Sequence, residues 1–248
     1  MADFGDQAMS FGAATGHYEA GRPDYPLEAV SWLLPPVAGR AVRVADVGAG
    51  TGKLTRGLRD LGADVVAVDP DPGMLAALRA ASGGIPAFLG RAEELPLPDD
   101  SVDAVVFGQA WHWVDPERAS LEAARVLRPG GALGLLWNIR DESVEWVRQM
   151  SVIMHGSNAE RMLAAGHPPV TSPFGPLEER RWEWSRMMTR AGLRAMAFSR
   201  SYVITAPDEE RDRIDSELSD LFDEIGAVGD DVVELPYISY AFRAVSAE

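Results

Sequence analysis

Val42-Arg43-Val44-Ala45-Asp46-Val47-Gly48-Ala49-Gly50-Thr51-Gly52-Lys53 is an apolar run that breaks into glycines and then enters a helix-forming stretch, Leu54 to Leu61. Such a sequence makes one strand, turn and helix unit of a parallel sheet. A second apolar run, Ala63 to Val68, ends on Asp69. This puts a carboxylate about 20 residues beyond the glycines, where a doubly wound sheet grips a ribose. The pairing points to a cofactor that contains adenosine. Spacing narrows the choice, because a dinucleotide loop starting at Gly48 needs its third glycine where Lys53 stands. Here the third glycine is Gly52. Taken alone, the turn is equally well explained by positive φ angles with no ligand at all.

Three further stretches follow in order. Val68-Asp69-Pro70-Asp71-Pro72-Gly73-Met74-Leu75 is an acidic strand end running into a helix. Gly90-Arg91-Ala92-Glu93-Glu94-Leu95 opens a loop that leads to the apolar strand Val102 to Phe107, and Val126-Leu127-Arg128-Pro129-Gly130-Gly131 is a turn before Ala132 to Trp137. Together with Asp46 to Gly52, these motifs resemble those of the class I S-adenosylmethionine-dependent methyltransferases. Ser10-Phe11-Gly12, Tyr18 to Pro26, Gln109-Ala110-Trp111-His112-Trp113 and Trp137-Asn138-Ile139-Arg140-Asp141 are similar to a small-molecule subgroup, the trans-aconitate methyltransferase-like proteins. The resemblance covers nearly the whole chain, most closely up to Asp141. It implies an α/β, Rossmann-like, doubly wound, mostly parallel seven-stranded sheet of order 3-2-1-4-5-7-6 with the last strand antiparallel. An N-terminal helical lid and an insertion after strand five come with it.

At 248 residues the chain is long enough for one α/β domain with a substantial core. The resemblance divides it into a lid and helix (1–40), a cofactor-binding core (41–141), a helical and loop insertion over the substrate site (142–206), and a last helix and strand (207–248). The formal net charge of −15 disfavours phosphate backbones and anionic membrane surfaces as partners. Arg180, Arg181, Arg186 and Arg190 alternate with Glu178, Glu179 and Glu183, as on a solvated face. Absence of cysteine excludes disulfides, thiolate metal sites and a cysteine nucleophile; no metal is expected. Met1 to Ser10 has neither the basic start nor the apolar run of a signal peptide, and no stretch approaches the roughly 20 apolar residues of a membrane span. The expectation is a cytoplasmic protein, monomer or homodimer.

Periodicity predicts a helix after Pro26 that stops at Pro35-Pro36 and strands at Arg43–Val47, Asp64–Val68 and Ala87–Leu89. Helices are predicted at Pro72–Ala81, at Pro116–Leu127 with Asp115 as N-cap, and at Ser143–Met154. Gly156 to Pro176 reads as a loop-rich insertion. Residues 177–186 read as a strand, Thr189 as the cap of a helix to Ser199, Pro207–Ile225 as an acidic amphipathic helix, and Val232–Phe242 as the last strand.

Ligands of parallel sheets bind at the carboxyl ends of strands where the order reverses. Gly48, Ala49, Gly50, Thr51 and Gly52 would admit the cofactor, with the helix N-terminus facing its carboxylate. Asp46 has two readings, cofactor ligand or cap of the turn. Asp69, followed by Pro70, would accept both ribose hydroxyls. Met74 is either an adenine contact or core. By resemblance, Ala92 and Glu93 read the adenine edge, Gln109 and Ala110 line the methionine portion, and Tyr18 and Arg22 close over it with Phe11 and Tyr25. Arg91 stands where many relatives of the superfamily carry an acid, which leaves Glu93 solvated as a second reading.

His112 is the candidate general base, its ordinary pKa suiting transfer near neutrality; the alternative is an imidazole packed between Trp111 and Trp113. Trp113, Trp137, Asn138 and Arg140 are candidate substrate contacts, with Arg140 either forking onto a substrate carboxylate or pairing with Asp141. The expected activity is methyl transfer from S-adenosyl-L-methionine to an oxygen or nitrogen of a small molecule. A non-methylating S-adenosylmethionine-binding protein would carry the same motifs. Lys53 counts against a dinucleotide oxidoreductase, and the net charge against a nucleic-acid methyltransferase.

Overall fold

The computed structural model describes residues 22–155, 158–204 and 206–246. Phe11 and Tyr18, expected in the lid, lie outside the described residues. Strands β1 (Arg43–Val47), β2 (Asp64–Asp69), β3 (Ala87–Leu89), β4 (Val102–Gly108), β5 (Leu127–Arg140), β6 (Glu178–Thr189) and β7 (Val232–Val245) form one sheet of order β3-β2-β1-β4-β5-β7-β6. β1 to β5 are parallel neighbours, and β7 runs antiparallel between β5 and β6. The expected fold and strand order are therefore present, and the order reverses between β1 and β4.

Helices α1 (Leu27–Trp32), α2 (Lys53–Asp60), α3 (Pro72–Ala81) and α4 (Pro116–Val126) cover this core. α5 (Glu145–Ile153), α6 (Asn158–Ala164), α7 (Arg190–Phe198), α8 (Ser201–Ile204) and α9 (Asp208–Glu224) complete the described set. Six consecutive residues of β4, Val102 to Phe107, are buried because helices pack on both of its faces. On one face Val105, Phe107, Leu133 and Trp137 pack with Ala119 and Ala123 of α4. On the other, Val44, Ala104 and Val106 meet Val30 and Leu33 of the α1 region and Leu58 of α2. α5, α7 and α9 build a third cluster against the far ends of β6 and β7, with Met150, Met196, Leu218, Phe222 and Tyr237 at its centre.

Caps fall where short polar side chains precede helices. Asp71 accepts from Gly73 N and Met74 N, Asp115 from Glu117 N and Arg118 N, and Thr189 from Gly192 N. Edge strand β6 alternates half-buried with exposed charged residues, which discourages pairing with another sheet. At the end of the sheet away from the glycine turn, Asp103 accepts from Arg40, Arg128 and the Arg43 amide, and these donors hold its carboxyl below the usual range.

Three sequence expectations need correction. β5 runs from Leu127 to Arg140, so Asn138 and Arg140 are strand residues rather than residues of a following loop, because antiparallel pairing with β7 continues to Arg140↔Tyr237. The stretch expected to be loop after Gly156 contains α6. Residues 142–206 also include β6, which the sheet uses as its edge.

Candidate active site

The cavity at the strand-order reversal is lined by Arg22, Tyr25, Asp46, the Gly48–Thr51 turn, Lys53, Gly108 and Gln109, among others, and encloses about 450 Å³ with its mouth. Glycine is required at two close approaches. A Cβ on Gly48, at φ +68°, would sit 2.6 Å from Ala110 Cβ, and one on Gly108 would sit 2.9 Å from the Tyr25 hydroxyl. The turn after β1 thus closes on Ala110, after β4, only because Gly48 lacks a Cβ, and the end of β4 admits Tyr25 only because Gly108 lacks one. Gln109 itself takes φ 56° and ties its side chain to the Asn138 carbonyl at 2.8 Å.

Both acidic strand ends are buried. Asp69 Oδ2 accepts from Gly50 N and Oδ1 from Asp71 N, each at 2.8 Å, and each oxygen keeps a second lone pair. Burial raises the Asp69 pKa, opposed by those two amides. Asp46 is held by the Thr55 hydroxyl of α2, while its other oxygen, Oδ1, is buried with no hydrogen-bond partner. Burial pushes the Asp46 pKa up to about 7, with the Asp69 charge adding to the rise. α2 begins at Gly52 with no side-chain cap, and Thr51, Lys53 and Leu54 border the cavity.

Of the other expected contacts, Met74 and Ala92 are buried, Ala92 in the core cluster with Leu95 and Trp111, and Pro70 is half-buried. Glu93 accepts from the Asp115 amide at 2.9 Å, so it braces the start of α4 instead of being solvated. Arg22 and Tyr25 line the cavity with the glycine turn. Asp24 joins two sides of that mouth: its carboxylate meets Lys53 Nζ at 3.2 Å and its carbonyl accepts from Asn138 Nδ2 at 3.1 Å.

His112 lies in a 3₁₀ turn, Trp111–Trp113, directly after β4. Its Nδ1 accepts from the indole N–H of Trp137 at 3.2 Å, so the ring's own hydrogen is on Nε2. Burial, aided by the Arg22 charge, lowers its pKa to about 3. The ring is 4.9 Å from Trp113, but its hydrogen bond goes to Trp137 across the sheet end. Trp111 is buried and donates to the Pro169 carbonyl, which anchors the segment after α6 over this turn.

Trp137 is fully buried, edge-on to Phe242. Asn138 Oδ1 accepts from Ser239, so both ends of this amide tie structural elements together. The expected Arg140–Asp141 pair is absent. Arg140 Nη2 instead meets Glu160 of α6 at 2.8 Å and Ser151 of α5 at 3.1 Å, because the buried strand end points toward those helices, while Asp141 accepts from the Ser143 amide. Sequence reading passed over Thr55, Asp24, Glu160, Arg200 and Tyr237. Arg200 did leave a signal, a lone cation in the run Ala195 to Ile204.

A model of the methyltransferase domain family matches residues 45–135. An uncharacterized methyltransferase of Mycobacterium tuberculosis is 47% identical over 243 residues, covering 98% of each chain. The chain belongs to the class I S-adenosylmethionine-dependent methyltransferases. An uncharacterized methyltransferase-like protein of Schizosaccharomyces pombe is 33% identical, over 95% of this methyltransferase and 94% of its own length. Among solved structures, phosphoethanolamine N-methyltransferase 2 of Haemonchus contortus in complex with S-adenosyl-L-methionine matches all of the chain and 61% of its own, with TM-score 0.55 and 18% identity. As a member of that family the chain uses S-adenosyl-L-methionine as its cofactor. The methyltransferase's own residues fit it: an orphaned buried acceptor on Asp46 suits a cationic group, the uncapped α2 N-terminus a carboxylate, and the spare lone pairs of Asp69 a ribose diol.

Proposed function

We propose that this methyltransferase acts on an oxygen or nitrogen of a small molecule, in the cytoplasm and without nucleic acid or membrane as partner. The observation that carries the reading is the confined mouth at the β1/β4 reversal, where Arg22 and Tyr25 lie against the glycine turn and the Pro169 segment is pinned over the β4 end by Trp111. Such a mouth admits a compact acceptor. No helix among the described residues is long and apolar enough to cross a membrane, and the overall charge of −15 repels polyanions.

The bound sulfonium supplies an already activated methyl carbon, so alignment and water exclusion are the protein's main tasks. Asp69 and the Gly48–Gly52 turn, with Ala49 and Thr51, hold the cofactor; Asp46 answers its positive charge; Gln109 and Ala110 border its methionine end. His112, neutral and with hydrogen on Nε2, donates a hydrogen bond that orients the acceptor, while Trp113 offers a ring face beside it. As a general base, His112 would have to exchange its Trp137 bond for the other tautomer.

Transfer of labelled methyl from S-adenosylmethionine to a panel of small phenols, amines and carboxylic acids, with RNA and DNA alongside, tests the acceptor class. Label in a small product supports the reading, whereas label only in nucleic acid would sink it. His112→Ala is expected to lower kcat by about 10²-fold with cofactor affinity nearly unchanged. Full activity in that variant would reduce His112 to packing.

A further inference from the structure

One buried cation is used neither by the cofactor site nor by the sheet. Arg200, between α7 and α8, is 8% exposed, yet its Nε has no hydrogen-bond partner and its Nη2 touches only the sulfur of Met196, at 3.7 Å. Arg140 Nη1 reaches the same sulfur at 4.0 Å. Two guanidinium groups therefore flank one thioether. Glu160 answers Arg140, but Arg200 is hydrogen-bonded to no carboxylate. Burial and the charges of Arg22 and Arg140, opposed by the carboxylate of Glu160, pull the Arg200 pKa down to about 9, which leaves it cationic at neutral pH. Arg22 also lines the cofactor cavity, so this positive region adjoins the methyl donor's mouth.

A second unused donor lies beside Arg140, which shares the Met196 sulfur with Arg200. Tyr237 faces Arg140 across the β5–β7 ladder, its ring stacked on Trp184 at 4.8 Å and 14°. The ring is 1% exposed and the hydroxyl has no hydrogen-bond partner. Stacking fixes the hydroxyl's direction, so it cannot swing out to water. A buried guanidinium whose Nε lacks a hydrogen bond and a buried hydroxyl that lacks one each destabilise the free protein. A single bound anion answers both, because a guanidinium presents its N–H groups as a planar fork matched to two oxygens, and a phenol adds a third donor.

We propose that Arg200 and the Tyr237 hydroxyl bind an anionic oxygen group, a carboxylate or a phosphate, carried by the methyl acceptor. This deepens the small-molecule reading above and rests on it. The anion is an anchor that fixes the acceptor's distal end, and the nucleophile is presented toward the β4 mouth from there.

The test uses the full chain saturated with S-adenosylhomocysteine and titrated calorimetrically with benzoate, phenyl phosphate and benzamide. At least one anion is expected to bind and benzamide is not; the tighter anion identifies carboxylate or phosphate. Arg200→Gln should weaken the anion by at least about tenfold, or 1.4 kcal/mol, with S-adenosylhomocysteine affinity unchanged within about twofold. Tyr237→Phe preserves the stacked ring and should weaken it several-fold, which keeps the test decisive if Arg200→Gln does not fold. Equal binding of benzamide, no binding of either anion, or full anion affinity in the folded variants overturns the subsite. Failure of S-adenosylhomocysteine itself to bind would instead remove the cofactor site on which the functional reading stands.

Discussion

At the scale of single residues, the two acids at the cofactor turn make opposite use of burial. Asp69 spends one lone pair of each oxygen on a backbone amide and is left correctly aimed. Asp69→Asn is expected to keep the fold and weaken S-adenosylmethionine binding by about 2–3 kcal/mol, the scale of a charged hydrogen bond, as read by calorimetry. Unchanged affinity would remove Asp69 from the site. Asp46 keeps an unanswered oxygen and a folded-state pKa of about 7, above its value in the unfolded chain. Its contribution to stability is therefore full below about pH 4 and is lost as pH rises through about 7. A cationic ligand favours the carboxylate, so binding releases a proton between those values and affinity climbs toward pH 7. Calorimetry in buffers of different ionisation enthalpy at pH 6.5 measures that release, and Asp46→Asn should abolish it. The identities of both acids were legible in the sequence because strand ends and glycine spacing fix them. The orphaned oxygen was not, because it depends on how far Thr55 reaches from the next helix.

At the scale of elements, strand boundaries and helix caps were legible wherever local chemistry dictates them. Pro72–Ala81 and Ala87–Leu89 match the sequence reading residue for residue, and Asp115 and Thr189 cap the helices they precede. β5 was read too short because Arg128-Pro129-Gly130-Gly131 looks like a turn, and Asn138 and Arg140 look polar enough for a loop. Pairing with β7, distant in sequence, carries the strand to Arg140, and pairing of Leu127 with Val102 of β4 sets its start. The same nonlocality hid the Arg140–Glu160 pair, since α6 reaches the β5 end only through the packed fold. The β1–β4 contact makes a firm test of element packing. Gly48→Ala forces a Cβ at φ +68° to within 2.6 Å of Ala110 Cβ. A loss of about 1–3 kcal/mol of stability is expected in chemical denaturation, together with weaker cofactor binding. Gly48→Ala combined with Ala110→Gly should recover part of the packing loss but not the φ penalty, which separates the two causes.

At the scale of the molecule, the first half of the sheet carries the glycine turn and the candidate cofactor cavity, and the second half, with α5 to α9, surrounds Arg140, Arg200 and Tyr237. The first half carries motifs and was readable; the second is built from ordinary amphipathic elements whose meaning appears only on packing. Beyond the β4–β5 ladder, Asp24 links the halves, through a carboxylate on Lys53 of α2 and a carbonyl on Asn138 of β5. These two links differ in kind. Asp24 is largely exposed, so its ion pair is weak and screened by salt, whereas the neutral hydrogen bond donated by Asn138 Nδ2 is insensitive to it. Asp24 therefore gives the strap from Arg22 to Pro26 one electrostatic and one neutral link among its contacts, and salt is expected to loosen the first and leave the second. Stopped-flow release of S-adenosylhomocysteine should quicken as ionic strength rises, and Asp24→Asn, which keeps the carbonyl, should release fast at low salt and lose most of that dependence. An enzyme fastened this way would turn over at a tempo set by the ions around it.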